Sequence, residues 1–250
     1  MDFERIRVWR HLLGGSMQRE LGSLGSNQSL QSQAEMRANL SDLRNHVGYE
    51  DKLENLQFAV IDTETTGFSP PTDQLLSVAA VKLDGRDELL QTTFHSYVEL
   101  SAGVIVPETV QQLTGITPDR LIGAPKISAV LTNFLQFVED RIVVAHHAGF
   151  DIRFLNTALR KNFGIELSTP VLDTGKIAML CHPFNKYPTL DMLLSLYEIP
   201  INDRHSAIGD ALMTAELFVR ELKMLSALGI DTLGQVWERL LWLERQHDQR

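Results

Sequence analysis

The sequence predicts an α/β fold, a β-sheet of mixed direction flanked by α-helices. Three observations predict it. Stretches rich in apolar and β-branched residues come first, at 58–61, 75–83 and 89–100. Apolar residues then recur at helical spacing through most of the remaining chain. One further apolar run, "RIVVAHH", falls between two of those helical segments. Strands in succession, followed by helices alternating with strands, suggest a mixed sheet covered by helices.

The 250 residues are enough for one substantial core, or one domain plus an appendage. With 44% hydrophobic and 22% charged residues, the chain reads as a globular protein rather than a disordered one. The net charge of −9 argues against a protein that coats nucleic acid broadly, which would be basic. It is compatible with an enzyme that grips a short strand end, because carboxylates gathered for metal inflate the charge of the metal-free chain. Cys181 is the one cysteine, so no intrachain disulfide forms and a reducing compartment is expected. The opening "MDFERIRVWRHLLGG" is charged where a secretory leader needs an apolar run. No apolar stretch approaches the roughly 20 residues of a membrane span, and a cytoplasmic location is expected.

Residues 1–56 read as an N-terminal extension, helical or partly disordered. Phe3, Ile6, Trp9, Leu12 and Leu13 make one apolar helical face ringed by Arg5, Arg7 and Arg10, and Gly14-Gly15 stop it. Its plain role is packing on the domain; a basic amphipathic helix also suits docking on a membrane surface or a partner. Residues 16–46 are polar, with few large apolar side chains to bury. From 57 to 225 the pattern is that of a compact domain. Its first strand is 58–61, and "DGRDE" turns the second strand, 75–83, into the third, 89–100. A short helix at 107–113 ends before Gly115. Ile127, Val130, Leu131, Phe134, Leu135 and Val138 fall on one helical face. Beyond the strand "RIVVAHH", helices are expected at about 150–163, 174–181, 189–198, 207–227 and 231–246. The last, in residues 226–250, is amphipathic through Val236, Leu240, Leu241 and Leu243 and suits packing or docking.

Chemistry first shows in "FAVIDTETTGFSP". Side chains two apart on a strand share a face, so Asp62 and Glu64 point the same way where the first strand ends. In open α/β sheets ligands gather at the carboxyl ends of strands. Two adjacent carboxylates repel unless a cation lies between them, although solvated turn acids are a common alternative. A second segment, "VVAHHAGFDIRFL", ends its strand in His146-His147 and starts a helix with Asp151. An acid there also serves the helix dipole. A third, "DRHSAIGDALMTAELF", carries His205 in a loop and Asp210 in the first turns of a helix. Oxygen donors without softer ligands suit Mg2+ or Mn2+ rather than zinc. The adjacent Cys181-His182 pair makes a poor zinc site.

Together these segments resemble the DnaQ-like 3′–5′ exonucleases of the histidine (DEDDh) branch. "FAVIDTETTG", "HHAGFD" and "HSAIGDA" look like that family's three exonuclease motifs, in order and with the His-x4-Asp spacing of the branch. "LTGIT" at 113–117, "VLDT" at 171–174 and "TLDMLL" at 189–194 agree more weakly. The resemblance covers about 57–220 and implies a ribonuclease-H-like fold. It implies two divalent ions, Mg2+ or Mn2+, bound by Asp62, Glu64, Asp151 and Asp210. Asp62 would bridge both, Glu64 and Asp210 would complete one, and Asp151 would support the other, partly through water. His205 would take a proton from the attacking water, and imidazole is a usable base at neutral pH.

For substrate, the Thr65-Thr66-Gly67 turn is expected to meet the terminal nucleotide through backbone N–H groups, and Leu113 and Ile116 to face its base. Relatives carry His-Asn where this chain has His146-His147, so His147 is the substrate-lining position that departs from the pattern. The implied activity is release of nucleoside monophosphates from single-stranded DNA 3′ ends, in proofreading or repair. The implied partners are single-stranded 3′ ends and a DNA polymerase or another replication or repair protein. The sequence leaves two alternatives open: the same chemistry on RNA or short oligonucleotides, and a non-catalytic binding module.

Overall fold

The computed structural model describes residues 48–85, 89–182 and 186–247, which contain five strands and seven α-helices. The N-terminal helix expected from Phe3 to Leu13 lies outside the described residues. The strands are β1 (Gln57–Thr65), β2 (Leu75–Asp84), β3 (Leu89–Tyr97), β4 (Ile142–Ala145) and β5 (Val171–Asp173). The helices are α1 (Glu108–Thr114), α2 (Ile127–Val138), α3 (Gly149–Phe163), α4 (Thr174–Cys181), α5 (Leu190–Leu196), α6 (Ala207–Ala227) and α7 (Leu233–His247).

The sheet order is β3-β2-β1-β4-β5. β1 pairs antiparallel with β2, which pairs antiparallel with β3; β1 pairs parallel with β4, and β4 with β5. Mixed direction was the expectation, and its source is visible here. The first three strands follow one another through short connections, whereas β4 and β5 are each reached across helices. β1 is the central strand. Phe58, Ala59, Val60 and Ile61 are all buried, which accounts for a continuous apolar run instead of an alternating one.

The register tells the two faces apart. Phe58, Val60, Asp62 and Glu64 share one face. The Phe58 ring meets Phe218 of α6 edge-on, with centroids 5.0 Å apart, so α6 covers that face. Ile61, Ala80 and Phe94 stand opposite one another across β1, β2 and β3 on the other face. There Phe94 faces Phe134 of α2 at 6.1 Å.

Three differences from the sequence reading bear on the site. β1 does not stop before its acids but runs through Asp62 and Glu64 to Thr65, because β2 continues to pair with it there. β4 stops at Ala145, so His146 and His147 lie in a turn, His147 with a left-handed φ of 61°. β5, with three residues, is too short to show a period and was not expected as a strand. The left-handed Gly115 (φ 67°) ends α1, as expected for a C-terminal glycine.

Residues 49–53 are tied to the start of α7. Leu53 N donates to Asp231 O (2.8 Å), Leu233 N to Asp51 O (3.1 Å) and Gly234 N to Tyr49 O (2.9 Å). Among the described residues no helix is long and apolar enough to cross a membrane.

Candidate active site

β4 pairs with β1 only as far as Val60. Asp62 and Glu64 therefore extend past the end of the parallel ladder, half-buried, with buried Thr63 and Thr65 on the opposite face. Across from them α6 begins. Ser206 caps it, its Oγ accepting from Gly209 N at 3.1 Å. Asp210 follows in the first turn and is 6% exposed. One carboxylate oxygen from each of Asp62, Glu64 and Asp210 lies within 4.8 Å of the other two.

The loop before α6 is forced into this shape. Asp203 (φ 52°) and His205 (φ 61°) both take the left-handed conformation, which costs about 1 kcal/mol or more at a residue with a side chain. Ser206 Oγ donates to Asp203 Oδ2 at 2.6 Å and holds the turn closed. The Asp203 carbonyl oxygen lies 2.1 Å from where a Cβ on residue 209 would be, so only glycine lets the loop fold back this closely. His205 is half-buried in that loop, one residue ahead of the cap.

Asp151 arrives from the other side, in the first turn of α3. It is 3% exposed, and Thr63 Oγ1 donates to its Oδ1 at 2.7 Å. Asp151 lies outside the three-oxygen group but within its electrostatic reach. Burial, then Asp151, Asp210 and Glu64, push the Asp62 carboxyl well above the ordinary range. Burial, then Asp210 and Asp151, push Glu64 up to about 8. Burial pushes Asp151 up to about 7 against the hydrogen bond from Thr63. Burial also raises Asp210, opposed by Arg204.

Arg204 stands beside His205 of the third motif. Its Nη1 donates to Asp210 Oδ2 at 2.5 Å, and its Nε to Asp191 Oδ1 at 2.7 Å. Asp210 Oδ1 is left buried with no hydrogen-bond partner in the protein. Crowded oxygen donors, carboxyls pushed toward protonation and one orphaned buried oxygen are what a divalent cation would relieve. The residues present fit that group.

The remaining predicted residues fall into three places. The turn after β1 is held from within. Thr65 Oγ1 donates to Gly67 O (2.6 Å), Thr66 Oγ1 donates to Asp73 Oδ1 (3.1 Å), and Thr66 N donates to Gln74 O (2.9 Å). The Thr66 N–H expected to meet a nucleotide is therefore already engaged. Gly67 has an internal reason too, since a Cβ there would come 2.5 Å from Asp73 Oδ2. On the α1 side, Leu113 is exposed, whereas Ile116 is buried with Leu76, Val106 and Leu121. The apolar surface expected from the pair rests on Leu113 alone. His147 is exposed in the turn before α3.

Sequence reasoning also passed over Phe68, which is 89% exposed directly after the Thr-Thr-Gly turn and meets Phe150 edge-on at 6.2 Å. A large aromatic in a loop otherwise made of small and polar residues was the available signal. Thr63, hidden between the two acids, gave none.

The exonuclease family model (RNase T) matches residues 59–218. The DNA polymerase III subunit epsilon of Aquifex aeolicus is 36% identical over 175 residues, which are 70% of this chain and 85% of that protein. The PolC-type DNA polymerase III of Bacillus subtilis is 35% identical over 211 residues, 82% of this chain and 14% of that protein. The chain spans 13–14% of the length of the first PolC-type relatives it matches. Among solved structures, E. coli Exonuclease I in complex with a dT13 oligonucleotide superposes with a TM-score of 0.61 at 16% identity, over 70% of this chain and 42% of that one. Cell-death related nuclease 4 gives 0.60 at 18% identity, over 68% and 65%.

Proposed function

The chain belongs to the exonuclease family as a 3′–5′ exonuclease of the DnaQ-like branch with a ribonuclease-H-like fold, and on that footing we propose that it releases nucleoside monophosphates from the 3′ ends of single-stranded DNA, with Mg2+ or Mn2+ as cofactor. The observation that carries the proposal is the convergence of Asp62, Glu64 and Asp210 oxygens from two distant segments beside an orphaned Asp210 Oδ1. The solved E. coli neighbour in complex with dT13 supports a single strand as substrate, and the DNA polymerase III relatives support a polymerase as partner in proofreading.

In this reading Asp62, Glu64 and Asp210 would hold one divalent ion, and Asp62 with Asp151 would hold a second. Bound there, the ions supply Lewis acidity that acidifies the attacking water and offsets charge developing on the phosphate. His205 accepts the proton that the water loses as its oxygen bonds to phosphorus. The bond from phosphorus to the 3′ oxygen of the preceding nucleotide breaks, that oxygen takes a proton from solvent, and a shortened strand with a 3′ hydroxyl and a nucleoside 5′-monophosphate are left. The left-handed loop sets the His205 backbone beside Asp210 before substrate arrives, which lowers the cost of placing the imidazole at the moment of reaction. Phe68 and Leu113 offer apolar contact to bases, which tolerates any sequence.

The test is release of mononucleotides from 3′-labelled DNA and matched RNA oligomers, with Mn2+ or EDTA. Wild type is expected to act on single-stranded DNA with Mn2+ only. Asp62→Ala is expected to lose essentially all release while keeping its fold by circular dichroism. Equal activity of Asp62→Ala and wild type refutes the site, and cleavage of RNA alone refutes the substrate.

A further inference from the structure

The turn that delivers Asp151 to the site is fastened by residues outside the three exonuclease motifs. Tyr187 lies forty residues after His147, yet His147 N donates to its phenol oxygen at 2.8 Å. The same hydroxyl donates to Asp173 Oδ1 at 2.5 Å. The other oxygen of Asp173 accepts from Ala148 N at 3.0 Å. Two successive backbone N–H groups of the β4–α3 turn thus end on one tyrosine–aspartate pair. The Tyr187 ring meets His147 edge-on at 5.1 Å and lies 5.6 Å from His146. His146 Nδ1 is in turn 2.9 Å from Thr174 Oγ1.

The surrounding sequence is shaped around this ring. A Cβ at Gly175 would fall 2.1 Å from Tyr187 Cζ, so glycine leaves the room that the ring occupies. His147 needs outside support, because a histidine at φ 61° is held in a sparsely populated conformation. A hydroxyl is the group that can accept from the His147 N–H and donate to Asp173 at once. Burial, and then Asp173, push the phenol further up, so it keeps its proton. From the latched turn the chain enters α3 directly. Phe150 N donates to His147 O and Ile152 N to Ala148 O, and Asp151 lies between them.

We propose that Tyr187, with Asp173, is a positioning residue for the exonuclease reaction, latching the turn that sets Asp151 against β1 and presents His147. The proposal rests on Asp151 belonging to the catalytic set. Thr63 holds that carboxylate from the β1 side, and the latch holds the His147 and Ala148 backbone ahead of it from the β5–α4 side. Neither Asp62 nor Glu64 depends on the latch.

Tyr187→Phe keeps the ring over Gly175 and removes both hydrogen bonds. Asp173→Asn keeps the shape but removes the charged acceptor. Tyr197→Phe, which removes a hydroxyl bonded to His182 Nε2, is the control. Turnover is measured per folded enzyme, alongside Mn2+ binding and amide hydrogen exchange at His147 and Ala148. Tyr187→Phe and Asp173→Asn are expected to lower kcat on the order of 10- to 100-fold, the usual cost of losing a supporting partner. Binding of the first Mn2+ is expected to stay within about threefold, since that site is built from β1 and α6. Exchange at His147 and Ala148 is expected to accelerate in both variants, and Tyr197→Phe to keep wild-type kcat. Unchanged exchange, or a kcat within about threefold of wild type in both folded variants, overturns the proposal. The exchange measurement needs no substrate, so a wrong substrate and a wrong latch give different results.

Discussion

Arg204 acts at the scale of single side chains, as a fixed cation among acids. Its guanidinium spans Asp191 and Asp210, and its charge opposes the upward push on Asp62, Glu64 and Asp210. When no metal is bound, Arg204 is the counter-ion that lets these carboxylates assemble. A bound divalent ion would take over that task. Arg204→Gln is therefore expected to destabilise the metal-free protein more than the Mn2+-loaded one. Losing a partly buried, charge-assisted hydrogen bond costs about 2 kcal/mol, or roughly 4–8 °C in Tm for a chain of this size. Thermal denaturation in EDTA and in Mn2+ reads the difference, and an equal loss in both would deny Arg204 this role. Why Asp62 and Glu64 were legible and Arg204 was not is a matter of distance. The two acids are related by the local alternation of one strand, whereas the Arg204 contacts join α5, α6 and the loop between them.

At the scale of elements, α6 shows what a periodic pattern conceals. Its span was read correctly from its apolar positions, and so was its first-turn acid. Residue type alone would send Glu221 to the surface, although it shares a helical face with Leu217, Phe218 and Leu225. It is instead fully buried, and neither carboxylate oxygen has a hydrogen-bond partner in the protein. Burial first, and then Asp173, push its carboxyl well above the ordinary 4.5. The unfolded chain ionises near 4.5 while the folded chain keeps the proton, so Glu221 costs stability as pH rises from there. Glu221→Met is expected to stabilise the fold by about 1–3 kcal/mol at neutral pH, with the gain shrinking toward pH 4. Urea denaturation at pH 4 and pH 7 checks this, and a loss of stability at pH 7 would contradict it. Periodicity puts that side chain on the covered face of α6 but carries no record of the groups it meets there, Cys181 of α4 and Asp173 among them. β5 was missed for the opposite reason, being too short to carry any period.

At the scale of the molecule, the legible part was the order of the three acid-bearing segments, and the sheet explains why order sufficed. The central strand, the helix that follows the strand beside it and the helix across one face each present their acids at one rim. What order could not give was the internal bonding of the Thr65-Thr66-Gly67 turn, the burial of Ile116, or the latch at Tyr187. All of these depend on residues brought together by the fold. The acids also leave a signature on the whole protein. Glu64 is pushed up to about 8 and Asp151 to about 7, from ordinary values of 4.5 and 3.8. A carboxyl raised on folding contributes no penalty below its unfolded pKa and costs stability as pH rises toward its folded one. Without metal, Tm is therefore expected to fall between about pH 4 and pH 8. Metal binding needs the deprotonated carboxylates and releases their protons, so its stabilisation grows over the same range. Scanning calorimetry from pH 5 to pH 8.5, in EDTA and in millimolar Mn2+, is expected to give curves that nearly meet at the acid end and separate steadily toward the alkaline end. Parallel curves would mean that metal binds elsewhere than at these carboxyls. Acids already ionised in the metal-free fold, held by Arg204 and the surrounding dipoles, would instead leave Tm in EDTA flat over the same range.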